Sequence, residues 1–343
     1  MRLAADEVAR TFPRARAVVV SDARVARLYG RSFTTALTRR GLSALLLPFP
    51  SGERAKTRET KARLEDRLVA RGVGRDAIVL ALGGGVTGDL AGFLAATWHR
   101  GVPVVSLPTT LLAMVDAALG GKTAVDLPAG KNLVGAFHHP VALFADLDVL
   151  RTLSPRTFRG GLAEAVKTAV ALDAPLFRKL ESGVAPIVSR DPRTVGGVVA
   201  RCLVLKGALV ASDPRDTGRR AILNLGHTVA HAVEAASDYR VGHGDAVAIG
   251  LVAELRLACR LTGFPRQAAD RVEALLSAFG LPIRAPRALD PARLLQAARR
   301  DKKTRSGVVR CVLPEALGRM PDRSDPSVSV DPVRDLLPLL RQN

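Results

Sequence analysis

The chain has 343 residues, 48% of them hydrophobic, which is ample for a large core and predicts about two domains. Its formal net charge of +19 would suit a nucleic acid, an anionic lipid or a small anionic substrate, or simply an Arg-rich solvated surface. Aromatic residues make up only 4%, with a single Trp, which is poor material for stacking on bases and argues against a nucleic-acid partner.

Cysteine usage and the N-terminal sequence predict a cytoplasmic protein. The three cysteines, Cys202, Cys259 and Cys311, are far apart and form no CxxC, which suits a reducing compartment and argues against a thiolate zinc site. The first residues, MRLAADEVARTFP, lack the apolar region of a signal peptide. No apolar run approaches the roughly 18 residues that a membrane span needs, so we expect no membrane partner.

The first half of the chain alternates between two kinds of segment. Four short apolar runs end in polar residues, Gly or Pro, as buried parallel strands do: AVVVSD (17–22), SALLLPFP (43–50), DAIVLALGGG (76–85) and GVPVVSLPTT (101–110). The first three runs are separated by stretches with helical spacing, at 23–41 and 59–72. This rhythm predicts a doubly wound parallel sheet that is covered by helices on both faces.

The second half changes texture after about residue 150. Long apolar-periodic segments follow one another, at 154–172, 191–211, 244–263 and 267–280, and few of them resemble strands. We predict an α/β protein with a parallel-sheet α/β domain over residues 1–150 and an all-helical domain over 151–343, joined by DLDVLRTLSP (146–155).

A glycine loop follows the third predicted strand. In LALGGGVTGDLAGFLAAT, glycines stand at positions 83, 84, 85 and 88 between a strand and a helix. Glycines there let the backbone approach a pyrophosphate, and the helix N-terminus supplies N–H donors. The pattern is GGGxxGD rather than GxGxxG, so the loop alone is equally compatible with a tight turn that binds nothing.

Three of the six histidines fall between residues 225 and 244. His227 and His231 have the i, i+4 spacing that brings two imidazoles to one helix face, while His243 lies in the glycine-flanked segment VGHGD. An open zinc site needs a third ligand, and Glu164 in GGLAEAVKTAV stands on an otherwise apolar face with Lys167 one turn on. The spacing leaves open which histidines bind a metal and whether Glu164 and Lys167 form a surface ion pair.

A third polar cluster lies in DAALGGKTAVDLPAGKNLVGAFH. Asp116, Lys122, Lys131 and Asn132 stand there among glycines with little periodicity. Lysines in such a non-helical stretch fit an anion-binding surface, and the alternative is a solvated loop.

Five motifs in order and with matching spacing resemble the 3-dehydroquinate synthase family, within the superfamily of sugar phosphate cyclases. They are GGGVTGDLAGFLAATWHRG, LPTTLLAMVDAALGGKTAVDLPAGKNLVGAFH, GLAEAVK, LNLGHTVAHAVE and HGDAVAIG, and the resemblance extends from about residue 22 to 303. It implies a phosphate-releasing carbon–oxygen lyase of the shikimate pathway, in aromatic amino acid biosynthesis. The enzyme would convert the seven-carbon sugar acid phosphate DAHP to 3-dehydroquinate. The steps would be transient oxidation by NAD at a metal-bound hydroxyl, phosphate elimination, re-reduction and aldol cyclisation.

The resemblance also implies roles for single residues. The metal, Zn2+ or Co2+, would be held by Glu164, His227 and His243, and His231 would instead lie near the substrate phosphate and assist proton transfer. Lys206 and Arg220 would bind the substrate carboxylate. The other implied substrate-site residues are Asp116, Lys122, Asn132, Lys167 and Asn224, with Arg100 reaching a neighbouring subunit's site in a homodimer and Lys302 or Lys303 binding phosphate. For NAD the implied residues are Asp22, Glu53, Lys56, Gly84, Gly85, Val86, Asp89, Thr109, Thr110, Lys122 and Lys131.

Some positions depart from the family pattern, and three rival functions are weighed against it. Arg24, Trp98, Ala117, Ala118 and Asp216 replace Asn, Tyr, two serines and Glu, which affects fine contacts but no metal ligand. Another sugar phosphate cyclase would act on a different phosphorylated ketose. If that sugar is otherwise neutral, Lys206 and Arg220 have no carboxylate to bind. A metal-dependent polyol dehydrogenase of similar build would release NADH, and a non-catalytic basic binding protein would not need the Glu-His-His set.

Overall fold

A computed structural model describes residues 1–300, 309–323 and 325–341 of the chain. The chain divides into two compact units, Met1–Thr152 and Leu153–Asn343. The first unit contains seven strands: β1 Arg16–Asp22, β2 Ser43–Phe49, β3 Ala77–Gly83, β4 Val104–Pro108, β5 Lys122–Leu127, β6 Gly130–Phe137 and β7 Ala142–Leu143. Its α-helices are α1 Arg2–Thr11, α2 Ala23–Val25, α3 Arg31–Thr38, α4 Arg58–Ala70 and α5 Gly85–Thr97.

The first unit is built around a parallel sheet with the strand order β2-β1-β3-β4-β7. All four predicted strands are present. Alternate side chains of the same strands face opposite sides, so that Val18 and Val79 pack with α4 and α5, while Val19 and Leu80 pack with α1 and α3. The predicted doubly wound sheet with two covered faces is therefore confirmed.

Two parts of this unit differ from the sequence-based expectation. The stretch expected to be an irregular glycine-rich surface contains the antiparallel pair β5 and β6, with a register shift between Val125 and Leu127. The first residues, whose secondary structure the pattern did not predict, form α1. Short π-helical or 3-10 segments complete the unit: Ala26–Gly30, Glu53–Ala55, Trp98–Arg100, Ala113–Ala117 and Leu147–Thr152.

The second unit is a set of helices. They are α6 Pro155–Leu172, α7 Ala174–Ser182, α8 Val184–Val188, α9 Pro192–Ser212, α10 His227–Ala236, α11 His243–Leu261, α12 Arg266–Ala278, α13 Pro291–Arg300 and α14 Leu337–Arg341, with a 3-10 segment Arg219–Asn224 and a π-helical turn Pro332–Leu336. Helix α11 packs against α6, α10 and α12, and ten of its residues from Ala246 to Ala258 are buried apolar side chains. The expected helical domain is confirmed, but it is not all-helical, because β8 Val309–Val312 pairs antiparallel with β9 Ser327–Val330.

Helix α9 corrects the expectation that the chain has no apolar segment of membrane-spanning length. It has 21 residues, and its most apolar 18-residue window has a mean hydropathy of 1.7, with 33% of that window buried. Length and composition alone make it eligible to cross a membrane, and core helices of soluble proteins meet the same criterion.

Candidate active site

A group of three potential metal ligands is assembled within the second unit. Glu164 lies in the middle of α6, His227 is the first residue of α10, and His243 is the first residue of α11. One ligand atom from each residue lies within 4.8 Å of the other two. Residues 79 positions apart in the chain thus meet at one point. His231, the i+4 partner of His227, is not part of this group; its ring stands perpendicular to that of His227, with 5.6 Å between centroids.

Both histidines present the same ring nitrogen to Glu164. The Nε2 atom of His243 lies 3.1 Å from Glu164 Oε1, and that of His227 lies 3.5 Å from the same oxygen. The Nδ1 atoms are held from behind, that of His227 by the carbonyl oxygen of Leu225 at 3.1 Å and that of His243 by Glu234 Oε2 at 3.3 Å. A proton on each Nδ1 leaves both Nε2 lone pairs available to a cation.

Glycines allow the three helices to approach closely. A Cβ atom added at Gly244 would lie 2.2 Å from the carbonyl oxygen of Gly160, which places the start of α11 directly against α6. A Cβ at Gly250 would lie 2.0 Å from the carbonyl oxygen of Gly226, which does the same for α11 and α10. Gly226 itself has a φ of 80°, in the left-handed region that favours glycine. The backbone contacts that only glycine permits therefore bring the ligand-bearing residues together.

A buried carboxylate fixes the start of α10. Gly226, the residue that precedes this helix, has no side chain that could cap the first N–H groups. Glu254 of α11 is fully buried and accepts hydrogen bonds from the backbone N–H groups of Gly226 at 2.7 Å and Val229 at 3.1 Å. It thereby supplies the cap from a neighbouring helix and holds the turn that carries His227.

The electrostatics of the group favour an ionised carboxylate. Burial alone would raise the pKa of Glu164, but Lys167, at 2.5 Å from Oε2, together with His227 holds it well below the usual value. Burial also disfavours the charged form of His243 and so lowers its pKa, but the hydrogen bonds of His243 with Glu164 and Glu234 raise it to about 10. In the metal-free protein, the positive charge of a protonated His243 therefore compensates the carboxylates, as a bound metal cation would.

The donor set fits a divalent transition metal. One carboxylate and two imidazoles are the donors of open zinc sites, in which three protein ligands leave a coordination position for another molecule. Cobalt accepts the same nitrogen and oxygen donors. Lys167 keeps a positive charge next to Glu164 Oε2, and it is not one of the three potential metal ligands.

Two buried cations lie elsewhere in the same unit. Lys206, in α9, is 5% exposed, and Arg220, in the adjacent segment Arg219–Asn224, is 3% exposed. Arg220 donates through Nη1 to the carbonyl oxygen of Pro214 at 3.3 Å, while its Nε has no hydrogen-bond partner among the described residues. A buried guanidinium with an unsatisfied donor is suited to bind an anion. Asn224, the last residue of the segment, is partly exposed.

The loop before Arg220 is organised by Asp213. Its carboxylate accepts backbone N–H groups from Thr217 at 2.9 Å, Gly218 at 2.9 Å and Arg220 at 3.1 Å. The hydrogen bond from the Thr217 N–H lowers the pKa of Asp213, burial opposes it, and the bonds from Gly218 and Arg220 add to the lowering, so that the pKa falls to about 2. The backbone from which Arg220 extends is thus fixed at neutral pH.

In the first unit, the residues around the glycine loop form a cradle that fits a dinucleotide. Helix α5 begins at Gly85 without a side-chain cap, so its first N–H groups are available to a phosphate. A Cβ at Gly84 would press on Thr110 at 3.0 Å, whereas one at Gly88 would meet nothing within 4 Å. The hydroxyl of Thr109 is buried and has no hydrogen-bond partner among the described residues, as expected of a group that awaits a ligand. Val86 lies in the first turn of the helix.

Most of the other predicted NAD-binding residues gather around Lys56. Its ammonium lies 2.9 Å from Asp89, 3.0 Å from Glu53 and 2.7 Å from the side-chain oxygen of Asn132. Burial opposes the charge of Lys56, but Asp89 and Glu53 raise its pKa well above the usual value. Burial also raises the pKa of Asp89 to about 6, against the opposing effect of Lys56. Lys131 reaches Glu53 at 3.8 Å.

The remaining predicted residues are dispersed. Asp22 caps α2 by accepting the N–H groups of Arg24 and Val25. Asp116 lies in the turn Ala113–Ala117, and Lys122 is exposed at the start of β5. Arg100 is exposed and has a φ of 71°, a left-handed backbone that is uncommon outside glycine and recurs at functional sites. Lys302 and Lys303 lie outside the described residues.

Sequence reasoning missed four carboxylates that support these residues. Glu234 stands seven positions after His227, which is two helical turns on the same face, so the spacing could have found it. Asp126 accepts the N–H of Asn132 at 2.9 Å and lies 3.5 Å from the Lys56 ammonium. The contacts of Asp126, Asp213 and Glu254 arise from the fold, and no residue spacing in the sequence predicts them.

Comparison with known proteins identifies the family of the chain. The family model for the 3-dehydroquinate synthase N-terminal domain matches residues 46–160, and that for the C-terminal domain matches residues 161–304. A 3-dehydroquinate synthase from Symbiobacterium thermophilum is 44% identical over 329 residues, covering 95% of this chain and 91% of that protein. The chain belongs to the 3-dehydroquinate synthase family.

Two solved structures of related cyclases are similar to the chain. One is 2-deoxy-scyllo-inosose synthase complexed with carbaglucose-6-phosphate, NAD+ and Co2+, with a TM-score of 0.90 and 26% identity, covering 98% of this chain and 94% of that one. The other is 2-epi-5-epi-valiolone synthase from Streptomyces hygroscopicus subsp. jinggangensis with NAD+ and Zn2+ bound. Its TM-score is 0.85 at 30% identity, covering 97% of this chain and 91% of that one.

Proposed function

We propose that the chain is an NAD- and metal-dependent 3-dehydroquinate synthase, a phosphate-releasing lyase that converts DAHP to 3-dehydroquinate in the shikimate pathway. The observation that carries the proposal is the Glu164, His227 and His243 group, assembled within 4.8 Å in a chain of this family. The relatives' shared name and the NAD+ with Co2+ or Zn2+ in the two similar structures support the reaction and the cofactors.

The metal is Zn2+ or Co2+, held by those three residues, and the NAD is held by the first unit. When bound, NAD supplies reversible hydride transfer and the metal makes a substrate hydroxyl more acidic. Glu164 contributes the negative charge of the ligand set, and Lys167 keeps it ionised. His227 and His243 contribute neutral nitrogen donors, each oriented through Nδ1.

The cations of the chain hold the two anionic ends of the substrate. Lys206 and Arg220 bind the carboxylate, and Arg220 uses the planar donor edge that its unsatisfied Nε leaves available. Lys122, Asn132, Arg100 and Lys302 or Lys303 bind the phosphate, and Asp116 and Asn224 contact hydroxyl groups. His231 assists proton transfer near the phosphate. Catalysis then consists mainly of positioning and of stabilising charge.

The NAD-binding residues of the first unit are Asp22, Glu53, Lys56, Gly84, Gly85, Val86, Asp89, Thr109, Thr110, Lys122 and Lys131. The uncapped start of α5 binds the pyrophosphate through its N–H groups. Thr109 donates its otherwise unsatisfied hydroxyl. The enzyme works in the cytoplasm as a homodimer on a small anionic substrate, without nucleic acid or membrane.

The reaction is tested by incubating the purified protein with DAHP, NAD and Zn2+ or Co2+. We expect inorganic phosphate to be released with no net NADH, because the same cofactor molecule is oxidised and then reduced in one turnover. Arg220→Ala should raise the KM for DAHP by roughly tenfold or more, since a charged hydrogen-bonding partner is lost. The adjacent Arg219, which is exposed, provides the matched control Arg219→Ala.

Two results would contradict this proposal, each in favour of one rival. Steady accumulation of NADH would identify a polyol dehydrogenase. Turnover of glucose 6-phosphate, a sugar phosphate without a carboxylate, in preference to DAHP would identify a different cyclase. An unchanged KM in Arg220→Ala would remove the argument for a carboxylate-bearing substrate.

A further inference from the structure

His243 is held by carboxylates at both of its ring nitrogens. Nε2 faces the proposed ligand Glu164 at 3.1 Å, and Nδ1 faces Glu234 at 3.3 Å. A ring that donates its Nδ1 proton to Glu234 is fixed in one tautomer and one orientation, with the Nε2 lone pair directed towards the metal site. The second carboxylate lies behind the ring and is not a member of the three-ligand group.

The two histidines differ in what lies behind them. His227 donates through Nδ1 to a neutral backbone carbonyl, that of Leu225, whereas the partner of His243 is an acidic side chain. A carboxylate behind an imidazole increases the basicity of the other nitrogen more than an amide oxygen does, because it stabilises positive charge on the ring. The structure thus makes His243 the stronger donor of the pair.

Glu234 is itself firmly placed. It lies in the last turn of α10, two turns after His227, and is only 5% exposed. Its backbone carbonyl accepts hydrogen bonds from the Ser237 hydroxyl at 2.9 Å and from the N–H of Tyr239 at 2.8 Å. One helix therefore carries a metal ligand at its start and the support for a second ligand at its end.

We propose that Glu234 is a positioning residue that sets the metal affinity of the site by fixing His243. The inference deepens the proposed function and rests on its metal site. It assigns a role to a residue outside the group of three potential metal ligands.

Metal binding to the purified, metal-free chain tests this role without substrate. The Kd for Co2+ is measured by calorimetry, and the visible absorption spectrum reports the ligand field of the bound ion. Glu234→Ala should bind Co2+ roughly 10- to 100-fold more weakly than the wild type. Glu234→Gln retains an acceptor but not the charge, so its loss should be smaller and its spectrum altered.

A matched control and a check of folding separate this role from general destabilisation. Glu273, partly buried in α12 and bonded to Arg256 at 2.6 Å, gives Glu273→Gln, which should bind Co2+ as the wild type does. The circular dichroism of each metal-free variant shows whether it folds. If Glu234→Ala does not fold, the isosteric Glu234→Gln decides the question.

Wild-type affinity and spectrum in the Glu234 variants would overturn the proposal, as would a wild-type chain that binds no Co2+. His243→Ala, which removes the ligand itself, sets the scale of the largest loss. Failure of the proposed function gives a different pattern. A wild type that binds Co2+ and loses it with Glu234, yet releases no phosphate from DAHP, would refute the reaction and leave the role of Glu234 intact.

Discussion

Asp89 is a carboxyl group whose ionisation the fold moves into the range of an enzyme assay. Burial raises its pKa to about 6, although Lys56 lies 2.9 Å away and opposes the shift. Glu53 and Asp126 face the same ammonium and add to the rise. Because its pKa is raised, Asp89 gains a proton as the pH falls through about 6, well above the pH at which an exposed Asp would.

The affinity for NAD should therefore depend on pH. If the Asp89 carboxylate accepts a hydrogen bond from an NAD hydroxyl, protonation weakens that bond, and the affinity should fall roughly tenfold between pH 7 and pH 5. Fluorescence or calorimetric titration with NAD measures it. Asp89→Asn should bind NAD more weakly at pH 7 and show a flat profile. The same slope in the variant as in the wild type would assign the titration to another group.

Single residues also show why part of the site was visible in the sequence. The glycine loop, the i, i+4 histidines and an acid on an apolar helix face are local patterns, and each marks a position that ordinary packing does not require. The choice of His243 over His231 as a metal ligand came from family resemblance, since the i, i+4 spacing pairs His227 with His231 and not with His243. Glu254 accepts backbone N–H groups from a distant segment, and Asp213 accepts those of its own irregular loop, so neither contact leaves a periodic pattern in the sequence.

At the scale of elements, three helices bring the proposed ligands together through glycine contacts. The contact between α6 and α11 is asymmetric. A Cβ on Gly244 would lie 2.2 Å from Gly160 O, whereas a Cβ on Gly160 would lie 3.7 Å from Gly244 Cα, an ordinary contact. The same pair of residues thus offers a substitution that the packing forbids and one that it accepts.

Gly244→Ala should destabilise the protein by about 1–3 kcal/mol, because the helices must separate to admit the methyl group. Gly160→Ala should be neutral or stabilise the protein by up to about 1 kcal/mol, because alanine favours the helix. Denaturant unfolding of the metal-free variants measures both. Since His243 precedes Gly244, the first variant should also bind Co2+ more weakly. Equal stability of the two variants would show that the approach of the backbones is not the constraint.

Helices and strands were predictable where the apolar residues follow a single clear pattern. The buried strands β1 to β4 are continuous apolar runs that end in turn residues, and α4, α6 and α9 are long and periodic. The pair β5 and β6 was not predicted, because glycines at 130 and 135 and the shift near Leu127 interrupt any alternation. A Cβ at Gly135 would lie 1.9 Å from Thr123 O, so this glycine marks close backbone approach rather than a loop. The strands β8 and β9 were not predicted, because they are short and lie between helical segments.

At the scale of the whole molecule, the net charge of +19 fits a small anionic substrate better than a polyanion. Cations with defined positions, such as Lys56, Lys206 and Arg220, are buried, whereas many other arginines are exposed and pair with nearby acids, as Arg266 does with Asp270. Exposed pairs of that kind contribute little to stability and are screened by salt. The excess charge still attracts anions towards the protein over about a Debye length.

The homodimer is the largest-scale proposal, and Arg100 gives it a test. Its left-handed backbone follows that of His99, so two successive non-glycine residues hold an unfavourable conformation, as residues at functional sites do. If Arg100 acts in the site of the neighbouring subunit, a subunit lacking it can be served by a partner that retains it. Two inactive variants should then restore activity when they share a dimer.

Arg100→Ala and His243→Ala, each nearly inactive alone, are mixed as unfolded chains in equal amounts and refolded together. Random pairing makes half of the dimers mixed, and each mixed dimer has one intact site of two, so about a quarter of the wild-type activity should return. Lys206→Ala with His243→Ala is the matched control: both residues belong to the second unit, so every site in a mixed dimer keeps one lesion and no activity should return. If the Arg100 pair is equally inactive, Arg100 acts within its own subunit or the chain works as a monomer, and size-exclusion chromatography with light scattering distinguishes the two.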